Sequence, residues 1–248
     1  MSRIHDAAAV GFARGAEAYE LGRPGYPAEA LEALRLSPDL TVLDLAAGTG
    51  KLTRPLAASG ARVIAVEPVA EMRAALPPSV EALDGTAESI PVGDGSVDLV
   101  TVAQAFHWFD GDAALAEIHR VLRSGGRLAL LWNRRVEDAP VNVAIDELVE
   151  PYRRGTPTHR GEAWRAAFER TPLFGPLDEH LFENEQLLDA DGIAARICSI
   201  SFIAALPEPE RAGLLARARD LTEAGPVTVP YRTEVLVSER LDSSPGGT

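Results

Sequence analysis

Residues 42–53 read VLDLAAGTGKLT. A short run of β-branched and leucine residues brings Asp44 to the end of a strand, Gly48 and Gly50 follow, and a helical stretch opens at Lys51. Glycines in such a turn let the backbone approach a ligand closely and adopt positive φ. In open α/β sheets, ligands bind at this carboxyl edge of the strands. A second strand ends in Glu67, at the spacing of about 20 residues that suits a carboxylate accepting hydrogen bonds from ribose hydroxyls.

Two cofactor classes use this layout, and the turn discriminates between them. A dinucleotide fingerprint reads G-x-G-x-x-G, with glycines and helix amides cradling a pyrophosphate. Here the turn reads AAGTGKLT, so the last glycine is missing and Asp44 precedes the turn. A carboxylate beside a pyrophosphate is repulsive, whereas beside the ammonium of a methionine moiety it is favourable. The P-loop pattern G-x-x-x-x-G-K-[ST] does not occur. The residues therefore favour an adenosylmethionine site; a tight strand–helix turn with no ligand is the plain alternative.

Around this unit, strands are expected at Thr41–Leu45, Arg62–Glu67, Val80–Leu83, Val97–Ala103, Arg127–Trp132, Glu179–Leu187 and Val227–Ser238. Ala-rich helical stretches alternate with them, the rhythm of βαβ units on a parallel sheet. Two helices, Ala8–Tyr19 and Ala28–Leu36, precede the first strand. A helix over Asp112–Leu122, capped by Asp112, is expected to end at Gly125–Gly126. Helices are also expected at Val141–Tyr152, Glu162–Arg170, Gly192–Ala205 and Pro209–Glu223. The long excursion between the last two strands suggests an elaboration covering a site.

Composition narrows the function classes. The chain has 248 residues, 46% apolar and 25% charged, with a formal net charge of −13. That charge repels a phosphate backbone and disfavours nucleic acid as a partner. No run approaches the roughly 18 apolar residues of a membrane span, and the first residues lack a secretory core, so a cytoplasmic protein is expected. A single cysteine, Cys198, excludes an intramolecular disulfide and suits a buried structural thiol. No histidine spacing suggests a metal site.

Beyond the turn, VIAVEPVAEM, LDGTAESIPVGDGSVDLVTVAQAFHWFD and HRVLRSGGRLALLWN follow in order. With VLDLAAGTGKLT they resemble the successive motifs of class I S-adenosylmethionine-dependent methyltransferases of the type 11 group, over Phe12–Arg134. The opening FARGAEAYELGRPGYP and the phrase AFHWFD are similar to a subgroup that includes trans-aconitate-type methyltransferases. The resemblance implies a Rossmann-like α/β fold: seven mostly parallel strands with an antiparallel last strand, helices on both faces and an N-terminal helical lid. Length and pattern give a single domain over 1–240, with a helical insertion over 188–225 and a disordered tail at 241–248, and the resemblance makes the helices in 1–38 a lid.

It also implies site roles. Asp44 and the backbone of Ala46, Gly48 and Gly50 would face the methionine moiety. Glu67 would hold the ribose, Pro68 and Val69 would flank the adenine, and Ala87 would meet its edge. Gln104 would floor the site near the sulfonium, and Tyr19, Arg23 and Tyr26 would form the lid. Two positions depart from the family pattern. Ala46 stands where many members carry glycine, which is tolerable if its φ stays below zero. Thr86 stands where many carry aspartate, so the adenine amine falls to Thr86 or Glu88.

S-adenosyl-L-methionine is thus the expected cofactor and a small molecule the expected acceptor. Because the sulfonium is already activated, the protein has mainly to align the reactants and exclude water. His107, beside Trp108 and Phe109, is the candidate catalytic side chain, as base, orienting donor or pocket wall; a structural histidine is the alternative. Arg134 and Arg135, past the fifth strand, could clamp a carboxylic acid, or could be surface arginines, as could His159 and Arg160. A nicotinamide-dependent oxidoreductase and a non-catalytic adenosylmethionine-binding protein remain the competing functions.

Overall fold

A computed structural model describes residues 20–153 and 164–242. Its centre is a seven-stranded sheet in the order β3-β2-β1-β4-β5-β7-β6. The strands are β1 (Thr41–Leu45), β2 (Arg62–Val66), β3 (Glu81–Leu83), β4 (Val97–Ala103), β5 (Leu122–Arg135), β6 (Asp178–Leu188) and β7 (Val227–Glu239). The first five are mutually parallel, and β7 runs antiparallel to both β5 and β6. This is the expected Rossmann-like sheet with its antiparallel last strand.

The helices are α1 (Ala28–Glu32), α2 (Thr53–Ala58), α3 (Ala70–Arg73), α4 (Gly111–Val121), α5 (Pro140–Val149), α6 (Arg165–Arg170), α7 (Ala190–Cys198), α8 (Ser201–Ala204) and α9 (Glu208–Asp220). Burial on both faces explains the apolar β1, all five of whose residues are buried. Leu43, Leu45, Val100, Val102, Leu128 and Leu130 face one core with α4 and α6. Val42, Val63, Leu99, Ala129 and Leu131 face the other with α1 and α2. Each fully buried leucine of this kind contributes about 1.5–3 kcal/mol.

A third core joins α5, α7 and α9 to the end of β6 and the start of β7, through Ile145, Ile193, Ile197, Leu214 and Val229. Its helices leave from the carboxyl ends of β5 and β6, so they gather at the same edge as the glycine turn.

Helix α4 departs from the expected boundaries at both ends. Asp110, not Asp112, is the cap, its carboxylate accepting from Ala113 N–H at 3.2 Å. The helix stops at Val121, before the glycine pair, because Leu122 turns extended and pairs with Val97. Gly125, at φ +73, instead turns the chain within β5. The helix expected over Ala8–Tyr19 lies outside the described residues, as do most of the expected tail and the start of the Glu162–Arg170 segment.

Candidate active site

The strand order reverses between β1 and β4, and that is where the polar residues converge. Asp44 is buried among apolar strands, with both carboxylate oxygens engaged. Thr53 Oγ1 donates to one at 2.6 Å and Thr101 Oγ1 to the other at 2.9 Å. Thr101 is the register partner of Asp44 on β4, and Thr53 opens α2. Burial pushes the Asp44 carboxyl up to about 6 against the lowering effect of the two hydroxyls.

Glu67 is also buried, one residue past β2. Its carboxylate accepts from Gly48 N–H at 2.8 Å and Val69 N–H at 2.9 Å, and Arg73 donates to its carbonyl. Burial raises its pKa and the two amides pull it back. The glycine turn and the end of β2 are thus closed onto each other by one carboxylate. Gly48 adopts φ +59 and presents open space where a Cβ would stand, while Gly50, at φ +89, sits tightly against Leu76 and Pro77.

The condition attached to Ala46 is not met: its φ is +56. The chain must turn sharply off β1 so that Ala47 N–H can reach Val66 C=O at 3.1 Å, and the left-handed conformation does this. Gln104, just past the adjoining β4, is left-handed as well, at φ +60, with its N–H on Leu131 C=O. Two strained non-glycine residues therefore stand side by side at the carboxyl edge, the kind of place where functional sites hold strain. Left-handed backbone costs an L-residue about 1–2 kcal/mol, partly offset by the alanine's stiffer unfolded chain. Ala46→Gly is accordingly expected to raise stability by about 0.5–1 kcal/mol, read as the urea midpoint. An unchanged or lower midpoint would show that the turn holds no such strain.

Past β3, Thr86 and Ser89 exchange backbone hydrogen bonds in a tight turn, with Ala87 buried between them. Glu88 accepts from Asp110 N–H at 3.0 Å, tying this turn to the start of α4. Pro68 and Val69 are half-buried beside Glu67.

Past β4, His107 lies in a single 3-10 turn, Phe106–Trp108, its ring packed 4.6 Å from Trp108 and 5.3 Å from Trp132. Burial lowers its pKa to about 4, so the imidazole is neutral at neutral pH. Phe109 packs against Phe106, within the first core.

The N-terminal segment docks over the glycine turn by contacts that motif matching missed. Lys51 Nζ donates to the carbonyls of Glu20 and Arg23, both at 2.6 Å. Thr49 and Arg54 hold the Glu20 carboxylate at 2.9 Å each. Gln186 donates to Leu21 C=O, and Asn133 and Asn184 to Gly25 C=O. Arg23, expected over the cofactor, turns its guanidinium to Ser199 Oγ and C=O at 2.9 Å. Tyr26 packs on the second core. Tyr19 lies outside the described residues, as do His159 and Arg160.

Arg134 pairs with Glu234 at 2.8 Å and Arg135 with Asp146 at 2.5 Å, so neither is a simple solvated surface arginine. Cys198 is half-buried, and burial raises its thiol pKa.

Comparison with known proteins gives the family. Residues 43–130 match a family model described as a methyltransferase domain. An uncharacterized methyltransferase of Mycobacterium tuberculosis is 40% identical over 90% of this chain and 93% of its own. The chain belongs to the class I S-adenosylmethionine-dependent methyltransferases. The solved structure of a candidate type II methyltransferase from Anaeromyxobacter dehalogenans is similar to this methyltransferase, with TM-score 0.60 and 27% identity, covering 88% of this chain and 96% of that one. The fold is also that of phosphoethanolamine N-methyltransferase 2 of Haemonchus contortus, solved with S-adenosylhomocysteine and phosphomonomethylethanolamine. There the TM-score is 0.57 at 17% identity, over 93% of this chain and 58% of that one. The trans-aconitate-type subgroup finds no support among these matches. No helix among the described residues of the methyltransferase is long and apolar enough to cross a membrane.

Proposed function

We propose that the protein binds S-adenosyl-L-methionine at the carboxyl ends of β1 and β2 and methylates a small-molecule acceptor by in-line displacement. The observation that carries this reading is the Glu67 carboxylate on Gly48 N–H. In a dinucleotide site that amide would serve a pyrophosphate. Here it serves a buried carboxylate, which would repel a pyrophosphate and whose remaining lone pairs suit ribose hydroxyls. The open space before Gly48 leaves room for the ligand.

Asp44 supplies negative charge for the methionine ammonium, directly or through water. Thr86, Ala87 and Glu88 line the adenine side, and Gln104 the floor. When bound, the cofactor supplies a methyl group on a sulfonium that needs no further activation. The chain's part is to hold the acceptor's lone pair in line and keep water out. Neutral His107 can take the proton of a hydroxyl acceptor. With such an acceptor, His107→Phe is expected to keep cofactor affinity and lose at least about a hundredfold in kcat, the low end of general-base effects; unchanged turnover would make it a wall. The net charge of −13 favours a small acceptor over nucleic acid.

Calorimetric titration tests the donor site. S-adenosylhomocysteine is expected to bind, and NAD and NADP not to. Glu67→Gln should weaken binding by about 1.5–3 kcal/mol, the worth of hydrogen bonds to a charged group. Preference for a nicotinamide nucleotide, or equal affinity in the variant, would overturn the assignment.

A further inference from the structure

The third core contains a charge imbalance that the donor site does not use. Arg196 of α7 is only 5% exposed, and its Nε donates to Tyr231 Oη at 3.0 Å. Tyr231, itself buried, is the register partner of Arg135 at the end of β5. Arg135 is 14% exposed and pairs through Nη2 with Asp146, which is 29% exposed. Burial and the charge of Arg196 both lower the pKa of Arg135, so the two guanidiniums are close enough to repel. Among the described residues, Asp146 is the only carboxylate in an ion pair with either one. The Nη1 atoms of both arginines are buried without an acceptor among the described residues.

Guanidinium does not lose its proton in proteins, so one positive charge and two donor nitrogens are left uncompensated among the described residues of the interior. The place is not remote from the chemistry. Arg135 ends β5 on the ligand edge, and the backbone of Arg196 lies directly under Gly22 of the segment that Lys51 holds over the glycine turn. Arg134, by contrast, is committed to Glu234.

We infer that Arg135 and Arg196 form the anion subsite of the acceptor pocket and receive a carboxylate of the acceptor. This rests on the methyl-transfer reading above and narrows its substrate class. A monoanion matches the single uncompensated charge, and the two oxygens of a planar carboxylate match two Nη1 donors. The acceptor is therefore a carboxylic acid, with Asp146 holding Arg135 through Nη2 and leaving Nη1 for the ligand.

The test uses the full chain loaded with S-adenosylhomocysteine. Benzoate, hexanoate and succinate are titrated beside benzamide, hexanamide, succinamide and inorganic phosphate, with binding read by thermal shift. At least one carboxylate should stabilise the protein where its amide does not. Arg135→Gln and Arg196→Met should each weaken that carboxylate tenfold or more and leave S-adenosylhomocysteine affinity unchanged. Amides as good as carboxylates, no response to any carboxylate, preference for phosphate, or full carboxylate affinity in folded variants would each overturn the proposal. The carboxylate–amide comparison on the wild-type chain decides even if a variant fails to fold. Failure of S-adenosylhomocysteine to bind the wild type would sink the donor reading instead, and the same titration on the unloaded chain would still decide the arginine subsite.

Discussion

Asp44→Asn is expected to stabilise the ligand-free protein at pH 7.5 and to weaken S-adenosylhomocysteine binding at the same time. The carboxyl is held near 6 in the fold against an ordinary value of 3.8, chiefly by burial. A raised carboxyl pKa means that the fold prefers the protonated form. This group's contribution to stability is full below pH 3.8 and is lost as pH rises through about 6. Above that pH the buried charge costs about 3 kcal/mol, at about 1.4 kcal/mol per pH unit of displacement. An asparagine keeps an oxygen for one of the two threonine hydroxyls and meets the other with its amide, so part of the gain is lost to geometry. A net gain of about 2 kcal/mol, roughly 4–8 °C in Tm, is expected at pH 7.5, shrinking towards zero near pH 4. Affinity should fall at least tenfold, or about 1.4 kcal/mol, because the ammonium loses its counter-charge. The check is Tm from pH 4 to 8 with calorimetry at pH 7.5. A loss of stability equal at every pH would make Asp44 a purely structural bracket. Unchanged affinity would remove it from the methionine side of the site.

Gly22→Ala is expected to pull the N-terminal segment off the molecule. A Cβ at Gly22 would lie 2.3 Å from Arg196 N, 2.4 Å from the Ala195 carbonyl carbon and 2.5 Å from Arg196 Cα, all helix backbone. No rotamer change relieves such a contact, so either α7 or the segment must move. Movement of the segment gives up the Lys51 hydrogen bonds, the Arg23–Ser199 contact and the Gln186 hydrogen bond together. Overpacking of this kind costs about 1–3 kcal/mol, and each lost hydrogen bond adds about 1 kcal/mol. A fall of roughly 6–12 °C in Tm follows from a loss of about 3 kcal/mol. New protease cleavage within residues 20–27 and a tenfold or greater loss of S-adenosylhomocysteine affinity should accompany it. Gly25→Ala is the control, since a Cβ there meets nothing within 4 Å; its effect should stay within about 0.5 kcal/mol. Equal behaviour of the two variants would show that the close approach at Gly22 has no consequence.

The half of the candidate site around the glycine turn was legible in the chain because its signals are local. Asp44, Gly48 and Gly50 lie within one strand–turn–helix unit, and Glu67 follows at the end of the next strand. One more signal was available, since Thr101 interrupts the apolar strand Val97–Ala103 where Asp44 needs a donor. The α4 boundaries were misplaced for an equally local reason. Asp112 and the glycine pair have the right chemistry for caps, but pairing of Leu122 with Val97 decides where the helix stops.

By itself the sequence determined the order of strands and helices, the glycine turn between β1 and α2 and the family, because backbone preference, burial pattern and motif spacing all act over short stretches. Tertiary structure alone decided which side chains meet. It put Gly22 under the backbone of α7, gave Lys51 the carbonyls of the N-terminal segment, spent Arg134 on Glu234, and set Arg135 beside Arg196. Those contacts join residues far apart in the chain. They form when the helices after β5 and β6 fold back over the carboxyl edge of the sheet, and no periodicity or spacing in the sequence records that packing.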